Sequence, residues 1–374
     1  MSQTPNSNIL IVGGGLAGLA LANYLARQGH EPTIIEQASE WRAEGYGIGL
    51  WQDGLSVLDE LGVLNAARTA AADPRGFEVR ASNNELLVQT TLPADHTLLL
   101  AIHRADLHSV LREAIPDEWI HMDTTPERIN ERSDDVVVTF DDGKMDTFDL
   151  VVGADGIYST VREQCFTDWT RREFDTYVWS LWADQDVDVG QDMVSVWGPS
   201  SEGFVARVGD RIGFNLAARL DTPPEPPARD ELRAQAERIG WQLPALLDGT
   251  DDEPFFDRIR DVSCETWHTD RVVLIGDAAH AVHPISGMGA SLALQDARVL
   301  AQELATGHPE NHVETLARFE DRRRSDARSV AREARFEAAV MFLESKTLRQ
   351  VRNTIVKHTP LFELALKQRA TEIR

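Results

Sequence analysis

The chain has 374 residues, 42% of them hydrophobic, enough for a large core and for two packed domains rather than one. Its formal charge of −24 comes from carboxylates spread along the whole length, and a surface of that sign repels a phosphate backbone, so nucleic acid is excluded as a partner. No apolar run reaches the length of a bilayer span, so no integral membrane segment is expected.

Residues 8–12 form a short apolar run, the pattern of a buried strand, and glycines follow at once. Leu16–Arg27 carries apolar residues at helical spacing, and Gly29 ends it. Residues 32–36 read as a second strand, so the chain opens with a βαβ unit. Residues 77–92 predict one or two strands and 105–114 a helix. Val136–Phe140 and Met145–Phe148, joined through Asp-Asp-Gly, predict a hairpin, and 150–152 another strand. Between 176 and 220 the pattern alternates as strands do, with a two-residue turn at Gly209-Asp210. That turn pairs Val208 with Arg211 and Phe204 with Asn215. It places Phe204, Ala206, Arg211 and Asn215 on one face of the hairpin and Arg207 on the other. The proline-rich stretch 221–228 predicts a surface loop, and 230–239 a helix. Residues 272–275 return to a buried strand and 290–304 to a helix. From Val313 onward the pattern is mostly helical, and the arginine-rich run 318–328 reads as a solvated helix face with intrahelical ion pairs.

Rossmann-like segments near the start, middle and end, interrupted by strands, predict an α/β chain built from separated pieces. Residues 1–75, 98–172 and 265–312 are assigned to a discontinuous dinucleotide-binding domain. Residues 76–97 and 173–264 are assigned to an inserted β-rich substrate domain, and 313–374 to a helical C-terminal segment.

Three segments carry chemistry. Gly13-Gly14-Gly15-Leu16-Ala17-Gly18 fits G-x-G-x-x-G between a strand and a helix. Gly13 permits the tight turn, Gly15 lets a pyrophosphate approach the backbone, and Gly18 lets the helix pack on the strand. The helix N-terminus turns its positive dipole end to the phosphates, and Glu36, ending the second strand, can accept ribose hydroxyls. In the second segment a strand delivers Asp277 at its carboxyl end. A loop through His280, His283, Pro284 and Gly287 then leads to a helix opening near Gly289 and Ala290. Glycines there leave room for a flat ring, and the helix N-terminus favours negative charge on it. The third segment, Asp155-Gly156 followed by Arg162, again runs from a strand through an acidic turn into a helix.

Together these segments resemble the class A FAD-dependent monooxygenases, the para-hydroxybenzoate hydroxylase-like flavoprotein hydroxylases. The resemblance covers most of the chain and is stronger in the α/β part than in the β-rich block. It implies an FAD-binding Rossmann-like domain, FAD as cofactor, NADPH or NADH as reductant and O2 as co-substrate. It makes Gly13, Gly15, Leu16, Ala17 and Gly18 part of the cofactor site and places Glu36 on the adenosine ribose and Asp277 on the ribityl chain. Arg104, opening a helix, is implied at the phosphate and ribityl region. Asp155 and Arg162 would support both FAD and the pyridine nucleotide. Arg42, Gly47 and Ile48 would lie along the flavin, and Gly287, Gly289 and Ala290 would also bind it. Pro284 would shape the space beside the oxygen-reacting carbon. The implied reaction is oxygen addition at flavin C4a and delivery of an electrophilic hydroxyl from that hydroperoxide to a small electron-rich substrate, aromatic or polyketide-like. Met288 departs from the pattern, since many relatives carry Gln there. A reductase or dehydrogenase of the same fold, acting for instance on isoprenoid lipids, stays open as the alternative, and so does a flavin-binding sensor. A disulfide reductase is disfavoured by the lack of a second glycine motif and of any C-x-x-C pair, and a halogenase by the lack of W-x-W-x-I-P.

Several residues carry two readings. His280 reads as structural. His283 is either a proton acceptor for a substrate hydroxyl or a solvated loop histidine. Trp179 and Trp182 either line the pocket or fill core. Trp182, Arg211 and Asn215 are the candidate substrate contacts. Cys165 and Cys264 are too few for a tetrahedral thiolate metal site and are expected to be inert, and residues 1–8 lack the order of a signal peptide, so a cytoplasmic location is expected. Lysine occurs only at 144, 346, 357 and 367. Low lysine with excess carboxylate predicts a halophilic surface, against the alternative of a GC-rich genome.

Overall fold

The computed structural model describes residues 7–41, 46–92, 99–184, 187–209, 211–250, 252–307 and 311–371. A parallel five-stranded sheet runs Val272–Leu274, Leu150–Gly153, Ile9–Val12, Thr33–Ile35, Ile120–His121. Its first three strands are buried along their whole length. Continuous apolar strands of this kind need cover on both faces. Helices Leu16–Arg27 and Gly289–Thr306 pack against each other and share one core with the sheet.

The second large element is a seven-stranded sheet ordered Phe255–Cys264, Trp169–Asp184, Arg211–Arg219, Ser201–Val208, Met193–Gly198, Gly76–Ala81, Leu86–Thr91. The expected hairpin register is present, with Val208 opposite Arg211 and Phe204 opposite Asn215. Alternation gives this sheet two different faces. Tyr177, Trp179, Leu181, Val194, Phe214 and Leu216 face a core shared with helices Arg229–Ile239 and Leu243–Asp248. Phe77, Val79, Met193, Trp197 and Ala206 face the opposite way, toward Trp51 and Leu99 of the small sheet Gly47–Trp51, Leu99–His103, Ala71–Ala72. Met288 and, from the helices beyond, Met341, Val356, Phe362 and Leu366 close over that second face. A separate three-stranded sheet holds the predicted hairpin Val136–Phe140 and Met145–Phe148 together with Pro126–Glu131.

The reading of the run 318–328 as a solvated face with intrahelical pairs holds in part: Arg318–Glu314, Arg323–Asp326 and Arg324–Glu320 are intrahelical pairs and Arg322 and Arg328 are exposed, but the run does more than meet solvent. It lies on helix His312–Met341, and Arg323 is buried with its Nε 2.8 Å from Asp296 Oδ1. Arg318 and Arg322 both reach Glu303 of the neighbouring helix at 2.7 Å. Arg324 makes an intrahelical pair with Glu320 and also donates to the Glu265 carbonyl. The run therefore joins helices. Cys165 and Cys264 are free thiols, and burial pushes both pKa values up to about 12, so neither is nucleophilic at neutral pH. No helix among the described residues is long and apolar enough to cross a membrane.

Candidate active site

The glycine turn sits at the carboxyl edge of the parallel sheet. Gly13 has φ +106°, and a Cβ there would lie 2.5 Å from the Ala154 carbonyl oxygen; at Gly18 it would lie 2.1 Å from the Gly13 oxygen. Neither position has room for a methyl group, so backbone meets backbone at both. Gly15 caps helix Leu16–Arg27 without a side-chain hydrogen bond, which leaves the first-turn N–H groups to an anion. The Glu36 carboxylate accepts from Gly14 N at 2.9 Å and Ala38 N at 3.0 Å. A carboxylate offers about four lone-pair sites, so acceptor capacity for ribose hydroxyls remains.

The other two segments meet this turn. Asp155 follows Ala154 directly behind Gly13. Its Oδ2 accepts from Val161 N at 3.1 Å, while its buried Oδ1 has no hydrogen-bond partner. Burial raises its pKa, against the bonds from Ser159 and Val161. Arg162 is fully buried and donates to the Ala278 carbonyl at 2.8 Å and the Ile157 carbonyl at 2.7 Å, with its guanidinium 4.6 Å over Trp169. It ties the Asp155 turn to the loop that begins at Asp277. Asp277 is exposed, yet protein atoms surround it closely enough that burial raises its pKa, opposed by His280 and Arg104. The carboxylate thus combines close protein surroundings with open access. Helix Arg104–Arg112 is pinned to the glycine turn by His108, whose Nε2 is 2.8 Å from the Gly14 oxygen. Trp41 packs against His108, ring centroids 4.7 Å apart, and lies against Gly14. Tyr46 stands near Arg104 and Asp277, and burial raises its pKa. Gly47 and Ile48 open the strand beside it, and Arg42 lies outside the described residues.

These donors fit FAD. An uncapped helix start lies at one end, an exposed carboxylate with Arg104 nearby in the middle, and a second uncapped helix start at Gly289 and Ala290 follows the loop. A family model described as an FAD binding domain matches residues 6–334. The chain is 29% identical over 363 residues to 2-heptyl-3-hydroxy-4(1H)-quinolone synthase of Pseudomonas aeruginosa, covering 94% of each. It is 31% identical over 349 residues to a 3-amino-4-hydroxybenzoate 2-monooxygenase of Streptomyces platensis, covering 89% of this chain and 88% of the relative. The chain belongs to the class A flavoprotein monooxygenases. Klebsiella pneumoniae HpxO, solved with FAD and uric acid, shares the fold at a TM-score of 0.89 and 21% identity, covering 99% of this chain and 97% of that one.

In this monooxygenase the sequence-derived substrate candidates separate. Trp182 lies on the sheet face toward the flavin loops, 4.9 Å from the His103 ring and against Gly47. Trp179, three residues earlier, points the other way into the core beside Phe256, so its pocket-lining reading is corrected. Period-two alternation alone separates the two tryptophans. Arg211 is exposed, 5.5 Å over Trp182 and 2.8 Å from Asp252. Asn215 is paired across the strands with Ser180, whose hydroxyl donates to Oδ1 at 2.5 Å. Pro284 and Gly287 are exposed on the loop. His283 is not: its ring is buried against Phe174 at 5.1 Å and Phe342 at 6.2 Å, and Nδ1 accepts from Ile285 N. Burial lowers its pKa to about 4. Burial corrects both readings of His283, as a proton acceptor for a substrate hydroxyl and as a solvated loop histidine: it is a neutral cap on the 284–286 turn.

Sequence reasoning missed Asp296. It accepts from Gly276 N at 2.9 Å and lies 2.5 Å from His280 Nε2, so it fixes the strand end that carries Asp277. Burial would raise its carboxyl, but His280 and Arg323 hold it down at about 2. A lone Asp in an apolar helix was the only signal.

Proposed function

We propose that the protein uses FAD, reduced by NADPH or NADH, to insert one oxygen atom of O2 into an electron-rich aromatic ring. The reading rests on one observation: the glycine turn, the Asp155 turn and the Asp277 loop converge on one sheet edge, and an apolar sheet face stands over the end of that loop. The names of its relatives, one a synthase of a hydroxyquinolone and one a monooxygenase of an aminohydroxybenzoate, support the substrate class. Bound FAD would supply the redox chemistry, taking two electrons from the nicotinamide and activating oxygen, the second atom leaving as water.

The chain's own residues would bind and orient. Glu36 and the Gly15 helix start hold the adenosine and pyrophosphate, and Asp277 with Arg104 holds the ribityl side. The first peptide N–H groups of helix Gly289–Thr306 favour negative charge on the ring system. Trp51, Phe77, Met288 and Phe204 exclude water from the substrate side. Ser180 takes the Asn215 carbonyl oxygen, so the Asn215 amide N–H2 is the group that would donate to a substrate oxygen. Pro284 would set the shape of the oxygen-side space. The test is turnover under 18O2: the product gains one labelled oxygen atom. Substrate conversion without label incorporation overturns the reading in favour of a reductase or dehydrogenase on the same fold.

A further inference from the structure

Positive charge and exposed apolar surface coincide in one part of this acidic molecule. Residues 346–374 carry seven Lys and Arg against two Glu, a net +5, and the other 345 residues carry −29. Three of the chain's four lysines lie there. Of the eleven exposed large hydrophobic residues among the described ones, five lie there too: Leu348, Val351, Ile355, Leu361 and Leu364, each 45–58% exposed.

The two helices of this segment use both sides. Helix Lys346–His358 turns Arg352 and Val356 inward. Arg352 is buried, its guanidinium 4.7 Å over Trp197 and donating to the Met341 carbonyl at 2.8 Å. Leu348, Val351 and Ile355, spaced i, i+3, i+7, form a stripe on its outer side. Helix Leu361–Thr371 packs Phe362 onto Phe77, ring centroids 5.7 Å apart, and leaves Leu361 and Leu364 outside. The inner faces are thus anchored to the sheet, and the outward apolar residues are not needed to hold the helices down.

We propose that these two helices dock on the surface of an anionic lipid bilayer, with the five apolar side chains at the headgroup–acyl boundary and the outward basic side chains, Lys346 and Arg349 among them, near anionic headgroups. A basic helix with an exposed apolar stripe has this affinity, and an anionic leaflet attracts the +5 segment, in which Lys357 is also paired with Glu85 at 2.5 Å. A second copy of the chain is a poorer occupant. A symmetric contact through this face would bring two +5 segments together. The docking does not rest on the proposed reaction. Its consequence does: an apolar ring compound dissolved in lipid would meet the protein at the helices that cover the Phe77 and Trp197 face.

The FAD-loaded protein is sedimented with vesicles of phosphatidylcholine alone or mixed with phosphatidylglycerol. The wild type is expected to partition at least about tenfold more strongly onto the phosphatidylglycerol vesicles at about 0.1 M salt, and less at about 1 M. Leu348→Ser/Val351→Ser/Ile355→Ser should lose at least about tenfold of that partitioning with FAD content and Tm unchanged. Lys346→Glu/Lys357→Gln, which leaves the apolar stripe intact, should weaken it as well. Equal binding to both vesicle types, or no binding, overturns the proposal. So does light scattering that shows a wild-type dimer dispersed by the triple variant, since the face would then be a self-contact.

Discussion

Glu36 serves the glycine turn twice. It accepts two backbone N–H groups, from Gly14 and Ala38, and on the proposed reading also the ribose hydroxyls. Removing it takes away the ligand bonds and loosens the turn that presents the first helix start. Glu36→Ala is expected to weaken FAD binding by about 1–3 kcal/mol, or roughly 5- to 150-fold in Kd, measured by flavin fluorescence on titrating apoprotein. Glu36→Gln, which keeps a carbonyl acceptor, should retain part of that affinity; an unchanged Kd in Glu36→Ala would remove the residue from the site. His283 makes a different kind of prediction. Held neutral by burial down to about pH 4, it binds its proton less readily folded than unfolded. Its contribution to stability is therefore complete above about pH 6.5 and is lost as pH falls toward 4, by at most about 3 kcal/mol. Denaturant midpoints from pH 7 to 4 should fall more steeply in the wild type than in His283→Gln, and parallel profiles would contradict the assignment. The two residues also differ in how far sequence exposes them. Glu36 is fixed by a local strand–turn–helix pattern that only a few residue types satisfy. The burial of His283 is made by Phe174 and Phe342, which only the tertiary fold brings to it.

At the scale of elements, helix His312–Met341 holds the end of the strand before Asp277 through a buried chain of charges. Arg323 bonds Asp296, which bonds His280 and the Gly276 N–H. Taking away one partner of a buried pair strands the other. Arg323→Met is expected to cost about 3–5 kcal/mol in urea unfolding. It should also raise the pH of acid unfolding. Asp296, held near 2, contributes stability above about pH 4 that is lost as pH falls toward 2. With Arg323 gone, its folded pKa rises and that contribution shrinks. A variant as stable as the wild type, with the same acid midpoint, would show that the network is not coupled to folding. None of this chain was visible in the sequence, because an arginine on a polar helix reads as solvated until its neighbour is known. The hairpin across Gly209 was legible to the residue, since a two-residue turn fixes register and alternation fixes faces. Strand Phe255–Cys264 is not legible in the sequence, because its Asp257, Arg258, Arg260 and Asp261 break the apolar pattern. It is an edge strand, and several of those charges pair across to Glu173 and Asp175 or out to Arg335. Helices Gln52–Glu60 and Leu64–Thr69 are short, and their burial comes from contacts with the rest of the α/β core.

For the molecule as a whole, the governing quantity is the excess of 61 carboxylates over 37 Lys and Arg. Salt acts on it in two opposed ways. It weakens the ion pairs that hold elements together, such as Arg258 to Glu173 and Arg318 to Glu303. It also relieves repulsion among acidic groups that have no cation to match. Exposed pairs contribute at most about 1 kcal/mol each, and buried ones such as Arg323–Asp296 are screened little. The unmatched charge, by contrast, repels at every separation inside a Debye length, about 10 Å at 0.1 M and about 3 Å at 1 M. With 24 negative charges unmatched, relief of repulsion is the larger effect, and stability should rise with salt. The Tm of the FAD-loaded protein is expected to increase steadily from about 0.1 M to about 2 M KCl, with most of the gain at the lower end, where the Debye length shrinks fastest. Comparison with the FAD-free protein separates the surface effect from tighter cofactor binding, because only the former persists without FAD. A Tm that is flat or falls over that range in both forms would mean that the acidic residues are spaced and paired well enough to cost nothing. The composition would then reflect codon bias rather than adaptation to salt.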